Sequence, residues 1–178
     1  MKKDKILWII LSILLTLNFG CARTPLKFKL GSEPEGFMGA EWGTVVSTME
    51  GMVYAKSQVH PEDKVYINED EIFRIDGVKL NEILYFFWKD RLYTIDISTK
   101  GYNNFKLLRK FVFNKFCRDE AMELRKEYFM YTWLGNATKV ELSYFKPKQY
   151  GILRIESRAI AEEVREQTQK YLDSKKSK

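Results

Sequence analysis

Few side chains in this sequence could carry out chemistry. The 178 residues include one histidine, His60, and two cysteines, Cys21 and Cys117. A single imidazole excludes sites that need two histidine ligands, and two thiols exclude both a disulfide scaffold and a thiolate zinc cluster. His60 precedes a proline in a polar stretch, so we interpret it as a surface residue, with a metal-ligand or general-base role as the alternative.

The acidic run at 68–71 supplies carboxylate oxygens, which hard cations prefer. It lacks the alternate spacing and the central glycine of a calcium-binding loop, so we predict no metal site and no cofactor. No nucleophilic serine motif, phosphate-binding loop or dinucleotide fingerprint is present either, so an enzyme is the weaker hypothesis. The residues predicted to contact a partner are His60, Glu69, Asp70, Trp88 and Trp133.

Cys21 stands at the end of an apolar run. Residues 2–5 are mostly basic and residues 6–17 are almost wholly apolar, which is the layout of a secretory signal. As a helix, this run would span about 18 Å, well short of the roughly 30 Å hydrocarbon core of a bilayer. A cleaved signal is therefore favoured over a permanent transmembrane anchor.

The junction Gly20-Cys21 resembles the lipobox of bacterial lipoproteins, with Leu17 nearby and with Asn18 where that family usually has an aliphatic residue. The resemblance implies cleavage before Cys21 and attachment of fatty acyl chains, such as palmitate, to this cysteine. Ala22 is not the aspartate that retains enterobacterial lipoproteins in the inner membrane. The resemblance therefore implies the periplasmic face of the outer membrane. Inner-membrane anchoring and secretion into the periplasm are the alternatives.

The composition is that of a folded domain with a sizeable core. The chain is 45% hydrophobic, and its 30 basic and 24 acidic residues give a net charge of +6. Positive charge together with many aromatic residues is also typical of nucleic-acid binding. A protein exported from the cytoplasm does not meet nucleic acid, so we predict no nucleic-acid partner. The predicted partners are a membrane, reached through the lipid anchor, and an envelope protein.

Hydrophobic periodicity predicts the elements that must position these residues. The clearest strands are 82–88 and 92–98, joined by a turn at Lys89-Asp90. Further strands are predicted near 53–59, 64–67, 72–75, 128–134, 139–144 and 151–156. The predicted segments are a signal peptide at 1–20, a lipid-anchored tether at 21–35, a single domain at 36–173 and a disordered basic tail at 174–178.

Three helices are predicted. A stripe of apolar residues from Phe105 to Phe116 predicts the main core helix, and the Cys117 thiol that follows it is interpreted as buried and inert. Ser157 begins a last charged helix, and Thr44 or Ser47 begins a short one that carries methionines.

This order of elements predicts an α+β domain with the helices packed on one face of an antiparallel sheet. Segments 71–98 and 127–156 both run strand, turn, strand, turn, strand after a helix, which raises a duplicated helix-plus-strands unit as a hypothesis.

Glycine and aromatic residues recur in a spaced pattern between residues 37 and 102. The pattern is Phe37-x-Gly39-x-x-Trp42-Gly43, then Gly77-x-x-Leu80-x-x-Ile83-x-Tyr85-x-Phe87-x-x-Asp90-x-Leu92-Tyr93 and Gly101-Tyr102. It resembles a group of small bacterial exported proteins of uncharacterised function, which implies an exported α+β domain and no catalytic residues. In size, anchoring and mixed topology the chain is also similar to small lipoproteins of the outer-membrane barrel assembly machinery and to protein inhibitors of periplasmic hydrolases.

We therefore favour a non-enzymatic, lipid-anchored envelope domain that holds a protein partner with a face or an edge of its sheet. One alternative is an enzyme or small-ligand binder with a pocket lined by carboxylates or tyrosines. The other is an inhibitor of a periplasmic hydrolase, for which 60–71 is the candidate protruding loop. The oligomeric state stays open.

Overall fold

The computed structural model describes residues 26–70, 74–116, 123–125 and 127–176. In chain order the strands are β1 (Gly36–Phe37), β2 (Ala40–Glu41), β3 (Met52–Ser57), β4 (Asp63–Asn68), β5 (Arg74–Ile75), β6 (Val78–Lys79), β7 (Glu82–Trp88), β8 (Arg91–Lys100), β9 (Glu123–Arg125), β10 (Tyr128–Leu134), β11 (Thr138–Phe145) and β12 (Tyr150–Ser157). The helices are α1 (Tyr102–Lys115) and α2 (Arg158–Lys176), and short 3₁₀ turns lie at Val46–Thr48 and Lys146–Lys148.

Eight of these strands form one antiparallel sheet in the order β3-β4-β7-β8-β12-β11-β10-β9. The strands β1–β2 and β5–β6 form two separate small hairpins. The predicted α+β class with an antiparallel sheet is confirmed. The hairpin β7–β8 turns at Lys89 and Asp90, as predicted, and both residues have positive φ angles, 48° and 63°, which suit a tight two-residue turn.

The sheet consists of two sets of four strands that meet at its centre, where β8 pairs with β12. The first set, β3, β4, β7 and β8, precedes α1, and the second set, β9 to β12, precedes α2. Each set is thus followed by a helix, whereas the hypothesis of duplication placed a helix before each set. Duplication itself stays a prediction.

Helix α1 covers one face of the sheet with the stripe that the sequence predicts. Phe105, Leu108 and Val112 are fully buried there, because helical spacing of three and four residues places them on one side of α1. The Phe105 ring stacks on Tyr144 of β11 at a centroid distance of 4.5 Å. Gly151 on the neighbouring strand β12 faces the Phe105 ring. Only glycine fits at this position, because an added Cβ would lie 2.7 Å from Phe105 Cδ2.

Helix α2 packs against the opposite face. Phe87 belongs to the large core under α1, but Trp88 belongs to a second cluster with Ala161 and Val164 of α2. Consecutive residues of a strand point to opposite faces, so the two helices lie on different sides of the sheet. The predicted packing of the helices on one face is therefore not confirmed. The end of β7 is apolar on both faces, so one helix packs on each face and shields it from solvent.

A carboxylate on α2 fastens this helix to the β7–β8 turn. Glu163 accepts hydrogen bonds from Trp88 Nε1 at 2.7 Å, from Lys89 Nζ at 3.2 Å and from an Arg91 guanidinium nitrogen at 2.6 Å. The bond from Trp88 is the largest contribution, followed by the bond from Arg91, and together these donors lower the pKa of Glu163 from 4.5 to about 2. The charged form of Glu163 therefore stabilises the folded state.

Replacing Glu163 by glutamine is expected to make the protein less stable than the wild type near pH 7, with the difference disappearing in acid. The folded-state pKa of Glu163 lies below the unfolded value, so the contribution of its charge is fully present above pH 4.5 and is lost as the pH falls to about 2. Free energies of unfolding from denaturant titrations between pH 2 and pH 7 measure this. Glu166→Gln, at an exposed position of the same helix, is the control. A constant difference across the pH range would contradict the prediction.

The chain joins the domain earlier than the sequence predicts. Leu26 pairs with Trp133 at the edge of the sheet, and the Phe28 ring contacts Phe116 at 5.2 Å. The Glu33 carboxylate accepts three backbone N–H bonds from residues 136–138, at 2.7 to 3.1 Å. Residues 26–35 are therefore part of the domain rather than a tether, which corrects the predicted boundary at 36. The signal peptide and Cys21 lie outside the described residues.

Two further predictions are corrected. The short helix that Thr44 or Ser47 would begin is only a 3₁₀ turn, because Gly51 adopts a positive φ of 72° and Met52 begins β3. Helix α2 continues to Lys176, so residues 174–176 are helical rather than a disordered tail. Cys117 and residues 177–178 lie outside the described residues. In the described part of the chain, neither α1 nor α2 has the length and apolarity required to cross a membrane.

Candidate interaction site

Strand β3 forms one edge of the main sheet. Among the described residues it pairs with β4 on one side only, and from Val53 to Ser57 every residue is exposed. An edge strand presents unpaired backbone N–H and C=O groups, which can pair with another extended chain. This edge is therefore a site where a partner strand could add to the sheet.

Exposed apolar side chains concentrate on the β3–β4 hairpin. Tyr54 is 52% exposed and Val59 is 60% exposed, and Val53 and Ile67 are also open to solvent. Val53 pairs with Ile67 across the two strands, so these two side chains lie side by side on one face, while Tyr54 lies on the other. Both faces of this edge thus offer apolar contact area. We call Met52–Ser57 with Ile67 the edge site.

A bulge shapes the middle of the edge site. The pairing shifts between Tyr54 and Lys56, so Ala55 has no partner in β4. A bulge increases the local twist, and a lysine on an edge strand opposes uncontrolled aggregation. The Tyr54 hydroxyl and Ser57 Oγ are 3.0 Å apart, and the Tyr54 ring contacts Tyr66 at 5.8 Å. These contacts hold the exposed tyrosine in place.

Two adjoining depressions open beside the start of β3. They have volumes of about 430 Å³ and 270 Å³, and Met49, Met52 and Asp70 line both. The larger one is also lined by Glu69 and by apolar residues that include Val53. Methionine, valine and aromatic side chains line this space together with the two carboxylates. We call the two depressions together the methionine groove.

Backbone geometry brings the acidic residues to this groove. Gly51 has a left-handed backbone conformation, and an added Cβ there would lie 2.6 Å from Asn68 Oδ1 and 2.9 Å from Asp70 Oδ2. The Asn68 side chain donates to the carbonyl of Glu50 and accepts from the backbone N–H of Asp70. A glycine at 51 thus allows the end of β4 to close tightly over the segment that leads into β3.

The structure brings two of the predicted interaction residues together and separates a third. Glu69 and Asp70 are both exposed and both line the methionine groove. His60 precedes β4 while Glu69 follows it, and six strand residues place them about 20 Å apart. The His60 ring lies between Trp88 and Tyr171, at centroid distances of 4.8 and 4.9 Å, where it helps to seat α2.

The two tryptophans predicted to contact a partner are core residues. Trp88 and Trp133 both have no exposed surface. Trp88 lies between the sheet and α2, and Trp133 packs under the C-terminal half of α1 against Phe113 and Phe116. Neither indole is accessible to another protein, so the prediction that these two residues contact a binding partner is corrected. Aromatic character alone does not distinguish a core residue from an interface residue.

The candidate inhibitory loop is also mostly a strand. Residues 63–68 form β4, the second strand of the sheet, so a protruding loop at 60–71 is wrong for this part. Residue 71 lies outside the described residues. Buried Val65 alternates with half-buried Lys64 and Tyr66, and the strand predicted near 64–67 already conflicted with a loop over this range.

A buried carboxylate in β4 has a structural role. Asp63 accepts a hydrogen bond of 3.0 Å from the hydroxyl of Tyr93 on β8. Burial raises the pKa of Asp63, although the bond from Tyr93 and the charge of His60 oppose this. Burial and the neighbouring carboxylate also raise the pKa of Tyr93. The pair links β4 to β8 on the face of the sheet that α2 covers. It lies outside the edge site and the methionine groove.

In comparisons with known proteins, no protein family, no curated protein and no solved structure matches this chain.

Proposed function

We propose that this chain is a non-enzymatic, lipid-anchored domain of the bacterial envelope that binds an extended segment of a partner protein along β3. The observation that carries the proposal is the edge site, where no other strand of the described part of the chain pairs with the outer side of β3, and where β3 is exposed from Val53 to Ser57.

Strand addition explains how such an edge would hold a partner. Main-chain hydrogen bonds to the added strand supply affinity, and side chains on alternate positions supply specificity. Val53 and Ile67 offer a small aliphatic contact on one face, and the Tyr54 ring offers an aromatic contact on the other. We therefore expect the partner segment to carry apolar residues at alternating positions.

The lipid anchor is supported by the sequence around Cys21. The first described contact of the chain with the sheet is made by Leu26, so only residues 22–25 separate it from Cys21. Two or three acyl chains on one cysteine would hold the domain far more firmly than a single chain. The domain would then work close to a bilayer surface.

Replacing Val53 and Tyr54 by lysine is expected to reduce partner binding about tenfold, because each cross-strand side-chain pair contributes roughly 0.2–1 kcal/mol and lysine opposes edge pairing. The partner is first captured with a photoreactive amino acid at position 54 in native envelopes. The captured segment is then synthesised, and its binding to the wild type and to the variant is measured by titration.

The controls use apolar residues of similar exposure elsewhere. A photoreactive group at Leu107 and the substitution Leu172→Lys match the exposure of Tyr54 and Val53 but lie on the helices. Binding of the peptide should slow hydrogen exchange at the amides of 52–57. Equal capture from position 107, or a bound peptide without protection of these amides, would overturn the proposal.

A further inference from the structure

Three methionines meet in the smaller depression of the methionine groove. Met38, Met49 and Met52 line this space of about 270 Å³, together with Asn68 and Asp70. The whole sequence contains six methionines, so half of them come to one place. They arrive from three different segments, namely the β1–β2 turn, the loop before β3 and the start of β3.

The backbone at Met38 is in a conformation that side chains rarely adopt. Met38 has a φ angle of 49° at the tip of the β1–β2 hairpin, where it is followed by Gly39 with a φ of 88°. Glycine, asparagine or aspartate would fit this first turn position at a lower conformational cost. The Met38 side chain is nevertheless 63% exposed, so burial in the core does not explain why a methionine stands there.

Thioether sulfur has a distinct coordination chemistry. It is a soft, neutral ligand that selects soft cations such as Cu(I), whereas carboxylate and carbonyl oxygens suit Mg²⁺ or Ca²⁺. Among the residues described here, no three His, Cys, Asp or Glu side chains lie close enough to share a metal ion. The soft ligands available in the groove are the thioethers, and the Asp70 carboxylate in the same lining supplies a compensating negative charge.

We propose that Met38, Met49 and Met52 bind a soft monovalent cation, Cu(I) or its analogue Ag(I), in the methionine groove. Met49 and Met52 are half-buried and packed against the core, so they supply a fixed wall. Met38 supplies an accessible sulfur from the hairpin tip. The methionine groove and the edge site share Met52 and Val53, but the cation site uses sulfur atoms and does not require strand addition.

The test is a titration of the purified chain in detergent with Ag(I), after every free thiol has been alkylated, because thiolates also bind this ion. Methionine methyl groups carrying ¹³C report on each sulfur by NMR. The resonances of Met38, Met49 and Met52 are expected to shift and to saturate at one equivalent, while that of Met130 stays unchanged.

Substitution by leucine provides the second measurement. The triple variant Met38→Leu, Met49→Leu, Met52→Leu preserves volume, and we expect its affinity for Ag(I) to be at least about thirtyfold lower. Met38→Leu alone changes only an exposed side chain, so it leaves folding intact, and we expect about a tenfold loss. Met130→Leu is the matched control.

Three results of these titrations would overturn the proposal, and a competition experiment supplies a fourth. The three are a titration without saturable shifts, shifts spread equally over all methionines, and unchanged affinity in Met38→Leu together with the triple variant. Displacement of Ag(I) by excess Mg²⁺ would also overturn it, because that result would assign the binding to oxygen ligands. Photocapture at position 54 does not depend on any of these outcomes, so the failures of the two proposals are distinguishable.

Discussion

Trp88→Ala is expected to lower the free energy of unfolding by about 3–5 kcal/mol, the usual cost of removing a buried tryptophan. The indole has no exposed surface and packs against Ala161 and Val164 of α2. Its Nε1 atom also donates one of the three hydrogen bonds that Glu163 receives. The substitution thus removes the apolar contact made by the indole and one of the three hydrogen bonds to Glu163.

Chemical denaturation followed by circular dichroism measures this effect. Trp88→Phe keeps most of the ring volume and loses the N–H donor, so a smaller loss of about 1–2 kcal/mol is expected. Partner capture from position 54 should persist in Trp88→Phe, because Trp88 is buried under α2. Unchanged stability together with lost capture would instead restore an interaction role for this residue.

Gly151→Ala is expected to destabilise the protein by about 1–3 kcal/mol, the range for overfilling a packed core. In most strands this change would be favourable, because glycine in a strand interior costs roughly 0.5–1 kcal/mol relative to alanine. Here the added Cβ would lie 2.7 Å from Phe105 Cδ2 and 3.0 Å from Thr99 Oγ1. Phe105 cannot easily move away, since it stacks on Tyr144.

A double-mutant cycle with Phe105→Leu isolates this contact. Leucine is smaller than phenylalanine, so the cost of Gly151→Ala should fall in that background, with a coupling energy of about 0.5–3 kcal/mol. Denaturant titrations of the four proteins supply the data. Additive effects, or a gain in stability from Gly151→Ala in the wild type, would show that α1 does not press on this position.

Local patterns predicted the elements well, because they depend on neighbouring residues. The alternation in β8 and the stripe of α1 follow directly from the spacing of apolar side chains. The turn at Lys89-Asp90 was likewise readable from the two strands that flank it. Such features need no knowledge of distant parts of the chain.

The site depends on contacts that no local pattern contains. The position of β3 at the edge follows from the order of all eight strands, and the docking of Leu26 beside Trp133 joins residues far apart in sequence. Glu69 was singled out for its charge, but the methionines beside it were interpreted only as parts of a short helix. Their meeting depends on the left-handed turn at Gly51, after which Met52 begins β3 instead of continuing a helix.

The docking of Leu26 against β10 also sets how the domain would stand on a bilayer. Five residue steps join Cys21 to Leu26 and reach at most about 18 Å, so acyl chains on Cys21 would keep this flank of the sheet near the lipid headgroups. Six strand spacings separate β10 from β3, which amounts to about 29 Å. The edge strand β3, on the opposite flank, would then lie farther from the anchored end, within reach of proteins that do not touch the membrane.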